Sequence, residues 1–591
     1  MHIIIYSEKA DICRTTNTGI VEKELKPPIT CVRYLLPVLA MLFFYSSFGQ
    51  YNPLRIPDTL SGTTFNLVIK DTFKQFRPGN QTITAGINTD FWGPTLFINK
   101  GDIVHMNVLN STNDTTTIHW HGMHLPAVMD GGPHQEIPSG TLWQPYWQVK
   151  NNAAMYWYHP HMNQMIGEQI TKGVGGFIIV RDPEESSLAL PRTYGVDDIP
   201  LALTSRRFDT ANQFVCTPGP YGDYELVNGT MNPQVSLPKQ YVRLRILDAE
   251  MQRGYNLGFS DNRTFYVIGN DGGLLDAPVA VTRINLMVGE RVELLVNLGS
   301  DAVGSSIDLE AYNLALPAGF PGGEASAVSP AGSLLNNINF PVLHINVAHA
   351  TTGAITTLPA TLVSNTYWAA ADATVTRTVN VTGGTGGTGL YLDGTPFNLD
   401  SINKRINLNT IEQWTVNNNN VTGHSFHIHS LQFKLISRSS GPVGAYENGW
   451  KDTYYLPLNE SVTFVARFED YADELHPFMY HCHLTPHEDG GMMGQFVVVD
   501  PTRIEQVQKI SGDFSIYPNP ANSRIYISYT TPSMQAYYVR ITNAVGRTIY
   551  MLPRPQLANG IDVSGFSPGT YFLQLTDEET RKTITKKFIK E

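Results

Sequence analysis

The chain has 591 residues, too many for one hydrophobic core, so several domains are expected. Only 16% of it is charged against 42% hydrophobic, and it holds 50 Gly and 37 Pro, a mix that suits short strands joined by turns and argues against long helices. A formal net charge of -11 leaves no basic excess for nucleic acid.

At the N-terminal end, VRYLLPVLAMLFFYSSFGQ (Val32 to Gln50) sets Arg33 before an apolar run that closes on the small residues Ser47 and Gly49. That is the design of a secretory signal peptide cut near Gln50, and the run falls short of the roughly 20 apolar residues of a membrane span. Residues 1–31 fit no signal design, which suggests a start codon assigned too early. The segment 1–50 is therefore read as an extension plus signal peptide, and the mature chain as exported.

From Tyr51 onward the pattern is strand and turn. GPTLFINKGDIVHMNVLN (93–110) alternates apolar and polar residues around Lys-Gly-Asp, and related patterns return in YVRLRILDAEMQRGYNLGF (241–259) and RINLNTIEQWTVNN (405–418). Their spacing predicts three β domains, at 51–185, 190–350 and 365–500. Linkers are read where Gly, Pro and Ser replace the pattern, at 182–200 and 381–389. After Pro501 the character changes, and residues 511–591 read as a small separate β-sandwich with a basic tail. The four cysteines, Cys13, Cys31, Cys216 and Cys482, have no spacing for a disulfide framework. Cys216 is expected to be a small buried apolar residue.

Cys482 is different, because histidines flank it. Four His-x-His pairs occur: His119/His121, His159/His161, His427/His429 and His481/His483. With 17 histidines in the chain, chance would give roughly half of one such pair. Residues i and i+2 share a strand face, so each pair aims two imidazoles at one place. Imidazole is the usual nitrogen ligand of copper, zinc and iron, and eight of them imply a cluster of metal ions. Cys482 points to the opposite face from its neighbours, and His424, three residues before His427, also faces away from that pair. His424 and Cys482 can therefore meet at a second site, which His487 and Met492 in the following loop can complete. Two His, a thiolate and a weak Met form the ligand set of a blue-copper electron-transfer centre.

These motifs, in this order, resemble those of the multicopper oxidases from about Thr63 to Val499. The nearest branch is the bacterial cuprous-oxidase and bilirubin-oxidase-like group, which shares DGGP (130–133), DNRTFYVIGNDGGLL (261–275), GER (289–291) and GWKDT (449–453). The resemblance implies an all-β fold of three cupredoxin-like Greek-key β-sandwich domains and four copper ions. It assigns the type 2 copper to His119 and His427, and the type 3 pair to His121, His159, His161, His429, His481 and His483. The type 1 copper falls to His424, Cys482, His487 and axial Met492. It further implies a reducing small-molecule or metal-ion substrate oxidised at type 1, electrons relayed through Cys482, and O2 reduced to water at the trinuclear cluster. Asp130 and Glu488 match the family's proton-relay acids, with a turn residue and a histidine-fixing partner as their respective structural alternatives. The remaining histidines, among them His124 and His134, are read as surface or locally bonded groups.

The chain departs from the cuprous-oxidase pattern in one place. Those members carry a methionine-rich insert over the type 1 site, whereas here no Met occurs from residue 288 to 478. Dedicated Cu(I) oxidation is thereby put in doubt, and phenols or pigment-like donors fit better. A copper-binding protein with little turnover is the alternative. Residues 511–591 resemble the C-terminal sorting domains of type IX secretion cargo through Tyr517-Pro518-Asn519-Pro520, Gly546, Pro568-Gly569, Tyr571 and Lys587-Phe588. A carbohydrate-binding or adhesive module is the alternative there. The resemblance implies a secreted or cell-surface protein that passes through the periplasm and meets the type IX machinery. A monomer is expected.

Overall fold

The computed structural model describes residues 51–591 except 217–220, 325–331, 385–388, 503–513, 530–536, 554–559 and 578–582. The expected signal peptide, Cys13 and Cys31 lie outside the described residues. The chain is nearly all β, in cupredoxin-like sandwiches followed by a C-terminal β domain. Among the described residues the α-helices are short, and none is long and apolar enough to cross a membrane.

Described residues through Phe496 form one compact unit, save 405–410 and 468–475, which belong with 497–591 in a second. The first unit repeats one strand plan. Thr64–Lys74 pairs in parallel with Ile103–Asn110, Asp198–Arg206 with Tyr241–Asp248, and Val375–Gly383 with Thr410–Asn418. The Lys100-Gly101-Asp102 turn is a corner between two sheets, since Thr95–Asn99 joins Gly176–Arg181 while Ile103–Asn110 joins Thr64–Lys74. Alternation follows from that placement: Val104, Met106 and Val108 are buried, while Ile103 and His105 face outward. Each such buried side chain contributes about 1.5–3 kcal/mol of apolar burial. The middle repeat buries both faces of its central strands, Leu201, Leu203, Leu244 and Ile246 in the apolar core and Arg243 and Arg245 in ion pairs on the other face.

The expected linker at 182–200 is part of the packed structure, as are the described residues of the one at 381–389. Asp182 caps the helix Pro183–Ser187 by accepting from Glu185 N–H, with Pro183 at its first turn. Glu185 is buried and paired with Arg243 at 2.7 Å, and Asp198 with Arg245 at 2.6 Å. Helix-start chemistry and ion pairing thus lie under the Pro- and Ser-rich text. At 381–389, Val381 pairs with Leu392 across a hairpin inside a sandwich, where Gly383 and Gly384 take positive φ. Cys216 is half-buried rather than buried.

The second unit's C-terminal part has two sheets. Phe514–Tyr517, Arg524–Tyr529 and Ile561–Asp562 make one. Thr548–Pro553, Tyr537–Asn543, Gly569–Asp577 and Thr583–Lys590 make the other. They enclose their own core, including Ile525, Val539, Ile541, Leu573, Leu575 and Phe588.

Candidate metal centre

Four strands carry the histidine pairs. His119–His121 lies antiparallel to Met155–His159, with His119 opposite His159 and Trp157 opposite His121. His424–Ile428 lies antiparallel to Asp473–Cys482, with His427 opposite His481 and Phe426 opposite Cys482. The later member of three pairs sits just past its strand and is pinned by its backbone. His161 N–H donates to Thr117 Oγ1 at 2.6 Å, His429 N–H to Met479 O at 3.0 Å, and His483 N–H to Ser425 O at 2.6 Å.

All eight rings are buried and converge. His481 Nε2 lies 3.3 Å from His161 Nε2 and 3.2 Å from His429 Nε2. His121 Nδ1 lies 3.4 Å from His159 Nε2 and 3.2 Å from His483 Nε2. His119 Nε2 and His427 Nε2 are buried without a hydrogen-bond partner, while their Nδ1 atoms face Asp130 O at 2.9 Å and Asp452 O at 2.8 Å. Burial, reinforced for most rings by neighbouring imidazoles, holds these histidines below their ordinary pKa, His161 at about 4 and His483 at about 3. Neutral imidazoles with inward lone pairs are metal ligands in waiting.

A second group lies on the other side of the same strands. Cys482 Sγ is 3.6 Å from both His424 Nδ1 and His487 Nδ1, and those two nitrogens are 3.2 Å apart. His487 sits on a short helix, Thr485–Asp489, rather than in a loop. Asp489 fastens that helix by accepting from Ile166 N–H at 3.0 Å and Gly167 N–H at 2.9 Å. Met492 is buried beside the group, its N–H donating to His487 O at 2.9 Å and its carbonyl accepting from Cys482 N–H at 3.1 Å. Burial holds His487 at about 4 and pushes the Cys482 thiol up to about 12, so a cation that binds there must displace its proton. A thiol with two neutral imidazoles, and beside it a set of facing and unpartnered imidazole nitrogens, fits copper.

Two carboxyls touch the eight-histidine cluster. Asp130 Oδ2 is 2.7 Å from His429 Nδ1, and Glu488 Oε1 is 3.0 Å from His161 Nε2 and 3.1 Å from His481 Nδ1. Burial raises the pKa of both well above the carboxylate range, and Asp489 adds to it at Glu488. Asp130 also ends a turn, Ala127–Met129, so the turn and the cluster contact belong to one residue. Of the other histidines, His134 bonds Gln495 at 2.8 Å, His344 bonds Asp308 at 2.6 Å, and His124 Nδ1 faces Ser430 O.

Family models described as multicopper oxidase match residues 70–185 and 368–502, and one described as a secretion system C-terminal sorting domain matches 515–591. A laccase of Pediococcus acidilactici is 31% identical with TM-score 0.67, over 76% of this chain and 94% of that one. The chain belongs to the multicopper oxidase family. A laccase-like multicopper oxidase of Ochrobactrum, with oxidase activity towards lignin model compounds and lignosulfonate, is 30% identical with TM-score 0.67, over 76% of this chain and all of that one. A Sodalis glossinidius relative that is 30% identical over 75% of this chain and 92% of its own length is a cell division protein, FtsP.

Several residues of this multicopper oxidase reach the cluster without having stood out in sequence. Asp452 and Thr453 approach His121, Arg291 grips Asp452, and Trp157 stacks on His159 with centroids 4.1 Å apart. Their signal lay in GER and GWKDT, which single residues could not interpret without their partners across the fold.

Proposed function

We propose that this multicopper oxidase takes single electrons from a reducing substrate at the His424–Cys482–His487 site and delivers them to the eight-histidine cluster, where O2 is reduced to water. One observation carries the reading: Cys482 belongs to one site while its bonded neighbours His481 and His483 belong to the other. Electrons thus have a path of a few covalent bonds between substrate and oxygen.

In this reading His424, Cys482, His487 and Met492 would hold the type 1 copper, and His119 with His427 the type 2 copper. His121, His159 and His483 hold one type 3 ion, and His161, His429 and His481 the other. Bound copper supplies the one-electron and oxygen chemistry. The protein's part is placement and protons. Asp130 and Glu488, whose carboxyls burial shifts toward the protonated form, stand against cluster histidines as proton donors for water formation. The deep burial of the rings keeps bulk water from the cluster. All twelve ligands come from one chain, which suits a monomer.

The absence of Met from 288 to 478 favours an organic donor, phenolic or pigment-like, over Cu(I). The lignin-model activity of the Ochrobactrum relative points the same way. With the sorting domain at its end, the protein is proposed to cross the periplasm and reach the cell surface through type IX secretion.

Oxygen uptake by copper-loaded protein with a panel of phenols, bilirubin-like pigments, Cu(I) and Fe(II) tests the function. Turnover with one O2 consumed per four one-electron donors is expected. Full copper binding with no oxygen uptake would favour copper sequestration. Failure to bind copper would favour instead a role in cell division, as the FtsP relatives are named for.

A further inference from the structure

His121 is turned differently from the other cluster histidines. His119, His159, His427 and His429 direct Nδ1 outward to Asp130 O, Pro160 O, Asp452 O and Asp130 Oδ2, leaving Nε2 for the cluster. His161, His481 and His483 also bring Nε2 to the inner contacts. His121 instead turns Nδ1 inward, toward His159 and His483, and Nε2 outward, 3.2 Å from both Asp452 Oδ1 and Thr453 Oγ1.

We propose that Asp452, held by Arg291, is the positioning residue that makes His121 offer Nδ1 to a type 3 copper, so that the ligand-free middle sandwich helps set the cluster. A neutral imidazole carries one ring proton, and whichever nitrogen has it cannot bind metal. Asp452 accepts the proton on Nε2 and so leaves the Nδ1 lone pair facing the site. Arg291 fixes that carboxylate from both sides, donating to Oδ1 at 2.7 Å and Oδ2 at 2.5 Å. The guanidinium is itself tied to Gly289 O at 2.9 Å and Asp271 O at 3.0 Å, and Arg291 N–H donates to Asp271 Oδ1 at 2.7 Å. Lys451 continues the network, 3.0 Å from Asp271 and from Glu290. His121, His427 and Asp452 are close enough together to hold a cation by themselves, but the bidentate arginine already engages the carboxylate.

Two glycines mark how tight this arrangement is. A Cβ on Gly122, which has φ +81° and follows His121, would strike both Asp452 Oδ2 and Arg291 Nη2. A Cβ on Gly289 would meet the His483 ring at 2.9 Å. GER and GWKDT thus meet across the fold at the outer side of His121. Asp452 acts twice, through its side chain on His121 and through its carbonyl on His427 at 2.8 Å; cutting back the side chain removes the first contact and a longer 3.7 Å approach to His427 but keeps the carbonyl that orients His427.

The inference rests on the copper assignment above, and the experiment separates the two. Asp452→Ala, Asp452→Asn and Glu290→Gln are loaded with copper and challenged with a chelator. Copper per chain, blue absorption and EPR spin count are followed against the wild type. For Asp452→Ala the blue colour and the type 2 EPR signal should persist, because Cys482 and the Asp452 carbonyl are untouched. A type 3 copper should be held about 10- to 100-fold less tightly, with new spin as the pair uncouples. Asp452→Asn keeps the shape, which covers the case that the alanine variant does not fold, and should lose the same copper to a lesser degree. Glu290→Gln breaks the far end of the network, touches no cluster histidine, and should behave as wild type. Chelator curves for both Asp452 variants that coincide with wild type would overturn the proposal, as would loss of the same copper from Glu290→Gln or simultaneous loss of all copper types. A wild type that holds no cluster copper would instead overturn the copper assignment, and this proposal with it.

Discussion

Cys482 has a buried thiol within reach of two neutral imidazoles, and among the described residues no other side chain is placed to give copper a thiolate. Cys482→Ser should therefore abolish the blue thiolate-to-copper absorption and the oxidase activity together while leaving most cluster copper in place. A serine variant that stays blue would remove Cys482 from the site. Asp130→Asn makes a narrower test, since asparagine can still accept from His429 Nδ1 but has no proton to give. The blue colour should remain and oxygen reduction should slow by about 10²–10⁴-fold. Unchanged turnover with a fast donor would reduce Asp130 to its turn. At this scale the histidine pairs were legible because a two-residue period states which side chains share a face. Asp452 was not, because its meaning depends on Arg291, some 160 positions away in the chain, and no local pattern reports that partner.

The short helix Thr485–Asp489 shows how an element can matter more than its length suggests. It carries His487 and Glu488 toward the two different sites, and it is tethered outside at both ends, by Thr485 N–H on Met251 O at 2.8 Å and by Asp489 on the N–H groups of Ile166 and Gly167. Asp489→Ala should cost about 1 kcal/mol, as loss of a cap does, and should shift or weaken the blue band by loosening His487. Optical spectra and a melting curve check this, and an unaltered blue band would mean that the Thr485 tether and the contacts of Met492 and Cys482 hold His487 without Asp489. Sequence reading took this stretch for a loop because five residues are too few for a helical period to emerge. It took 182–200 for a linker for a related reason: Pro183 and the serines suit a helix start as well as a loose connection, and the buried pairing of Glu185 with Arg243 that distinguishes them is long-range. The three strand patterns were legible as β text because apolar alternation survives the corner between sheets, as on the strand Ile103–Asn110.

Across the molecule, the ten histidines proposed as ligands are held below their ordinary pKa by burial, which ties stability to pH. Their folded pKa values lie below the unfolded value of about 6.5, so their contribution is complete above that pH and is lost as pH falls, when only the unfolded chain gains protons. Each can remove up to about 1.4 kcal/mol per pH unit. Among the described residues, eight carboxyls raised in the fold, Asp130 and Glu488 among them, act in the opposite sense but are fewer than the ten histidines. The copper-free protein should melt at clearly lower temperature at pH 5 than at pH 7, and copper should raise both values by binding only the folded state. A copper-free melting temperature independent of pH would contradict the buried-neutral account. The C-terminal sandwich stands outside this linkage. It supplies none of the proposed ligands, and Ile525, Val539, Leu573 and Phe588 give it a core of its own. Removing residues 511–591 should leave copper content, blue colour and oxidase activity unchanged, and should stop the protein short of the cell surface when it is expressed in a host with the matching secretion machinery. Fractionation with an activity stain reads both outcomes. Loss of copper would show that the oxidase needs the tail to fold, and a truncated enzyme still found on the surface would show that the tail is not its address.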